Sequence, residues 1–123
     1  MSQHRSVIRR EERRRNRSKK TSRYHSVRYR LVVYRSLKHF EAQIVNDFEG
    51  HTIISASSKG KDLKPALKNI KSKIDLSKKV GEALAEKAKK MKIKSVVLDR
   101  NGYPYHGRVK AFVESVRKNG LNL

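Results

Sequence analysis

The chain has 123 residues, with 32 Lys+Arg against 11 Asp+Glu and a formal charge of +21, which leaves room for one small domain and an appendage. No apolar run approaches the ~18 residues of a membrane span, no apolar core follows the basic start as in a secretory leader, and the lack of cysteine excludes disulfide frameworks and thiolate metal sites. These features predict a soluble, intracellular (cytoplasmic) protein whose self-repulsion is relieved by a strongly acidic partner.

The charge is concentrated at the front. Residues 1–30 hold ten Arg and two Lys against Glu11 and Glu12, while residues 31–123 hold 20 Lys+Arg and nine acids. The first segment is thus about three times as densely charged. Its apolar content is too thin to offset chain entropy, so residues 1–29 are expected to form an arm that is disordered or helical only on RNA. Arg9 to Lys20 contains good helix formers without Gly or Pro, and phosphates that screen its arginines favour a helix there. Arginine forks onto phosphate and stacks on bases, which suits a structured RNA. The competing readings are a solvated basic tail and a membrane-surface helix, but the latter needs a Leu, Phe or Trp face that this segment lacks.

From Arg30 the composition changes, and residues 30–123 read as a globular domain. Leu31-Val32-Val33-Tyr34 is a short β-branched and aromatic run, predicted as a buried strand. Phe40, Ala42 and Ile44 alternate with Glu41 and Gln43, the period of a half-buried strand. Turn formers Asn46 to Gly50 precede a third strand at Thr52–Ala56, completing an antiparallel meander. Ser57–Lys73 reads as a lysine-rich loop with a helical turn or two after Pro65. Val80, Ala83, Leu84, Ala88 and Met91 then mark a helix face, with Asp75 or Ser77 as the predicted cap. Ile93 and Ser95–Leu98 predict a buried strand ending at Asp99-Arg100, and Asn101-Gly102-Tyr103-Pro104 is turn chemistry. Val109, Phe112, Val113 and Val116 lie at helical spacing, and Asn119-Gly120 supplies the stop. The helical crossover makes the last strand parallel to a neighbour. The predicted class is therefore α/β with α+β character: a mixed sheet of three antiparallel strands plus a crossover strand, packed by two helices and preceded by a basic arm.

Catalytic constellations are poor. His4, His25, His39, His51 and His106 form no i, i+4 pair. Asp99 ends a strand where α/β folds place functional groups, but a two-metal nuclease needs several converging carboxylates, and Glu41 and Asp47 are expected to lie apart in the meander. Asp99 is therefore read as a structural loop aspartate. No metal and no cofactor is predicted. The segment Asp99–Arg108 compresses two Arg, two Tyr, a His and two Gly into the approach to a helix. There Gly107 and free N–H groups can receive an anion, Tyr105 can stack on an unpaired base, and Arg108 can fork a phosphate. Equally, Tyr103 and Tyr105 can cover the core edge while Asp99 and Arg100 brace the loop. Arg30, Arg35, Lys38 and His39 bracket the first strand and the link to the second, where they extend a binding surface or protect a solvated edge. 

Arg30-Leu31-Val32-Val33-Tyr34-Arg35-Ser36, His39–Ile44, and the run Asp99-Arg100-x-Gly102-Tyr103-x-Tyr105-His106-Gly107-Arg108-Val109-x-Ala111 together resemble the bacterial ribosomal proteins eighteen of the large subunit. The ending Arg117-Lys118-Asn119-Gly120-Leu121 is similar too, and the likeness runs from about Arg28 to Leu123. Tyr29, Phe40-Glu41 and Lys118 depart from the usual family residues. The resemblance implies a protein that binds 5S rRNA and seats it in the central protuberance, with a ribonuclease-H-like sheet that lacks catalytic acids. It implies 23S rRNA and neighbouring ribosomal proteins as further partners, with no membrane.

The expected function is thus non-enzymatic RNA binding in the ribosome by a clamp of arm and body. The candidate RNA-binding residues are Arg9, Arg10, Arg13, Arg14, Arg15, Arg17, Lys19, Lys20, Arg23 and Arg28 on the arm. On the body they are Arg30, Arg35, Lys38, His39, Arg100, Tyr105, His106 and Arg108. The rival readings are a nonspecific nucleic-acid-compacting protein and, behind it, a small nuclease of ribonuclease-H-like fold.

Overall fold

The computed structural model describes residues 7–15, 28–61, 63–68, 70 and 72–123. Residues 7–15 form helix α1. Three strands follow, β1 (Tyr29–Arg35), β2 (Phe40–Asn46) and β3 (His51–Ser57), then the single turn α2 (Lys64–Leu67), helix α3 (Lys73–Lys90), strand β4 (Val96–Asp99) and helix α4 (Arg108–Lys118). The strands make one mixed sheet in the order β3-β2-β1-β4. β1–β2 and β2–β3 are antiparallel and β1–β4 is parallel, as the crossover through α3 requires.

β2 shows the alternation most plainly: Phe40, Ala42 and Ile44 are buried while Glu41, Gln43 and Val45 are half-buried. Its inward residues join Leu31 and Val33 of β1, and Ile54 and Ala56 of β3, in the core beneath the helices. α3 contributes Val80, Leu84 and Ala88, and α4 contributes Val109, Phe112, Val113 and Val116. The rings of Phe40 and Phe112 meet at 5.1 Å, tilted by 41°, and so tie the second strand to the last helix. The two helices approach closely at Gly81, where an added Cβ would lie 2.9 Å from the Phe112 carbonyl oxygen.

Both long helices end in the same way. At α4 the Gly120 N–H donates to Arg117 O and the Leu121 N–H to Val116 O, with Gly120 at φ +102. This is a Schellman closure, with the expected glycine in the left-handed position. At α3 the Lys92 N–H donates to Lys89 O and the Ile93 N–H to Ala88 O. Here the left-handed residue is Lys92, at φ +60.

That substitution corrects two sequence expectations. Met91 is the C-cap of α3 and 58% exposed, not part of its buried face. Ile93 belongs to the helix closure instead of the strand, so β4 begins at Val96, and Ser95 makes only an isolated bridge to Asn122. The predicted caps of α3 are also displaced. The N-cap is Ser72, Asp75 lies in the first turn where the helix dipole favours it, and Ser77 is buried inside the helix. The Ser77 hydroxyl donates to Lys73 O at 3.0 Å, satisfying by back-bonding a polar group that could not reach an end.

Candidate nucleic-acid interface

The central strand opens with Arg30, which pairs with Val45 on one side and Val97 on the other. Two residues further along each neighbouring segment stand Asp47 and Asp99, diagonal positions within reach of a long side chain. Arg30 grips both. Its Nε and Nη2 donate to the two carboxylate oxygens of Asp47 at 3.0 and 3.1 Å, and its Nη1 donates to Asp99 Oδ2 at 2.8 Å. Asp99 is fully buried, and its other oxygen accepts the Asn101 N–H at 2.9 Å. That bond holds Asn101 at φ +54, where the chain leaves the sheet. Burial disfavours the Arg30 charge, but the hydrogen bonds to Asp47 and Asp99 outweigh it and raise the guanidinium above its ordinary value.

Asp47 therefore does not stand apart from Asp99, as expected from the sequence. The meander folds it back toward the end of β4, yet the two carboxylates meet on an arginine. Asp99 itself is the last residue of β4, at the strand end read from the sequence. Among the described residues no three His, Cys, Asp or Glu side chains converge as a metal site would need, and no helix is long and apolar enough to cross a membrane.

The β1–β2 turn has only Leu37 and Lys38 between the paired Ser36 and His39. Hairpin loops this short favour Gly, Asn or Asp at positive φ, and neither residue here has one. One cross-turn bond forms normally, from Ser36 N–H to His39 O at 2.9 Å. In the other direction, the His39 N–H donates to Ser36 Oγ at 3.2 Å. The Ser36 carbonyl accepts Arg108 Nη1 instead, at 2.6 Å and across 72 residues of sequence. Beside it, the Arg35 guanidinium lies 4.7 Å from the centre of the Tyr103 ring, a cation–π contact. The Tyr103 hydroxyl accepts the Arg35 N–H at 3.4 Å. His39 Nδ1 is 3.0 Å from Ser58 Oγ, which also accepts the Phe40 N–H.

Arg35, Lys38, His39 and Arg108 are thus gathered on one rim, formed by the β1–β2 turn and the β4–α4 loop. Arg28, Arg100, Tyr105 and His106 are exposed, and the Tyr105 hydroxyl accepts Arg117 Nη1 at 3.4 Å. Arg30 is held by its two aspartates away from that rim. Arg9, Arg10, Arg13, Arg14 and Arg15 all lie exposed on α1. Arg17, Lys19, Lys20 and Arg23 lie outside the described residues.

The end of α1 rests on the same loop. Gly102, at φ +82, lies so close that an added Cβ would sit 3.0 Å from the Arg15 backbone nitrogen and 3.3 Å from the Arg14 carbonyl carbon. Glycine is required there both for its backbone angle and for this approach. Sequence reasoning gave Ser36 and Leu37 no role at the site. An aliphatic residue in a two-residue turn was the available signal, since turn chemistry disfavours it.

The model of the family described as ribosomal L18 of archaea, bacteria, mitochondria and chloroplasts matches residues 5–123. The chain is 55% identical over 92 residues to the large ribosomal subunit protein uL18 of Staphylococcus haemolyticus, covering 75% of this chain and 74% of that one. It is 54% identical over 94 residues to the protein of the same name from Chloroherpeton thalassium, covering 76% and 77% of the two chains. Against the Bradyrhizobium protein the identity is 52% over 95 residues, covering 77% and 78%. The chain belongs to the ribosomal L18 family and is a structural protein of the ribosome, not an enzyme.

Proposed function

We propose that this protein, as a structural component of the large ribosomal subunit, binds 5S rRNA and mediates its attachment in the central protuberance. The observation that carries this reading is the rim itself. Two basic segments distant in sequence are locked together by Arg108 on Ser36 O and Arg35 on Tyr103, beside the arginine helix seated at Gly102. In this reading Arg35, Lys38, His39, Arg100, Tyr105, His106 and Arg108 contact 5S rRNA, and Arg30 positions the loop from behind. The body, residues 30–123, supplies register. The arm, residues 1–29, completes its folding on RNA and reaches toward 23S rRNA.

Phosphate contacts release counterions, so affinity should fall steeply with salt. Replacing Arg13, Arg14 and Arg15 together with Gln in the full chain should flatten the plot of log affinity against log salt by about 2–3 units. Competition between 5S rRNA and random duplex DNA at matched salt separates specific recognition from compaction. Equal affinity for both, or no salt dependence, overturns the proposal.

A further inference from the structure

Leu37 is 80% exposed at the tip of the β1–β2 turn, more than any other large apolar side chain among the described residues. The position is unfavourable twice over: the turn has no residue suited to its geometry, and a leucine stands in water. The turn is nonetheless well held. It is closed by the Ser36 N–H on His39 O, by the Ser36 hydroxyl and by Arg108, so little conformational freedom remains to be lost when something covers Leu37.

The surroundings decide what covers it. Arg35, Lys38 and Arg108 flank the tip, and the nearest acid along these strands, Glu41, pairs opposite Tyr34 two pairs back from the Ser36–His39 closure. The next most exposed large apolar side chain, Phe48 at 64%, stands in the β2–β3 turn between Asp47 and Glu49. That turn repels a polyanion, whereas the turn of Leu37 attracts one. The face of a nucleobase is apolar and its edges and phosphates are not, so an aliphatic tip ringed by cations matches an unstacked base between two phosphates.

We propose that Leu37 is an apolar wedge that packs against an unpaired or unstacked base of the bound rRNA, while Arg35 and Lys38 hold the flanking phosphates. The inference rests on the RNA-binding function proposed above and adds to it a residue that reads base stacking, not charge.

The test uses the full chain and 5S rRNA. Because Leu37 is exposed, Leu37→Ala should leave the melting temperature unchanged. Its affinity should fall about tenfold, with the salt slope unaltered, and Leu37→Met should restore most of the loss. Lys38→Gln should behave oppositely, lowering the slope by about one unit. A Leu37→Ala protein that binds 5S rRNA as tightly as wild type, or that changes the slope, overturns the wedge while leaving 5S binding intact. So does normal RNA affinity combined with defective incorporation into large subunits, which would assign Leu37 to a protein neighbour. Failure of the wild-type chain to bind 5S rRNA overturns both proposals.

Discussion

The Arg30 cluster allows burial and charge to be separated by two substitutions of the same kind. Asp99→Asn keeps the shape of a fully buried side chain and still lets an oxygen accept the Asn101 N–H, but it turns an amide donor toward Arg30 Nη1. A hydrogen bond to a charged group contributes about 1.5–3 kcal/mol, and stripping a partner from a buried ion pair costs about 3–5 kcal/mol. Arg30 is 15% exposed and keeps its two bonds to Asp47, so the cost falls below that of an isolated buried charge and is close to that of one charged hydrogen bond, about 2–3 kcal/mol. In a body of this size each kcal/mol lowers the melting temperature by about 4–8 °C, and the expected drop is about 10–20 °C. Asp47→Asn removes a carboxylate that is 31% exposed and should cost at most about 1 kcal/mol. Thermal unfolding followed by circular dichroism gives both values. Added salt should shrink the Asp47 effect and leave the Asp99 effect nearly constant. Because the Arg30 value is raised, its stabilisation is complete below the unfolded value and is lost only as pH climbs through the still higher folded one, so Arg30 adds no pH dependence near neutrality. Equal losses for the two variants would refute the reasoning, since burial would then not be what gives Asp99 its weight.

Two helix substitutions test the packing and closure of the body. Gly81→Ala ordinarily gains about 1 kcal/mol in a helix, but here the new methyl meets the Phe112 carbonyl at 2.9 Å and Ser115 Cβ at 3.1 Å. A net loss of about 1–2 kcal/mol in urea unfolding is expected, and a stabilised variant would contradict the close approach of α3 and α4. Lys92→Gly relieves the left-handed strain at the end of α3 and should raise stability by about 0.5–1 kcal/mol. A loss would show that the lysine side chain contributes more than its backbone angle costs.

What the sequence made legible was whatever a local period or a local stop signal can encode. The strand of Phe40, Ala42 and Ile44, the helix of Val109 to Val116, and the glycine closure at Gly120 all read directly from neighbours in the chain. The parallel placement of β4 followed from the handed geometry of a helical crossover. The errors arose where a common signal was replaced by a rarer one. Lys92 does what Gly120 does without being glycine, so the local pattern extends α3 through Met91, and it offers Ser77 as a cap although α3 begins four residues earlier, at Lys73. At the site, the abundance of Arg, Tyr and Gly before α4 was visible, but its attachments were not. Asp47 and Asp99 meet on Arg30 from 17 and 69 residues away, and Arg108 meets Ser36 from 72. No window of periodicity spans such distances.

Those separations have a consequence for synthesis. β1 can zip to β2 almost as soon as both have been made, but its partnership with β4 and the clasp of Arg108 on Ser36 wait for the closing stretch of translation. Until then the β1–β2 hairpin has formed without the contacts that join the rim. A chain that stops before α4 therefore lacks Arg108 and with it the bond that joins the β4–α4 loop to the β1–β2 turn.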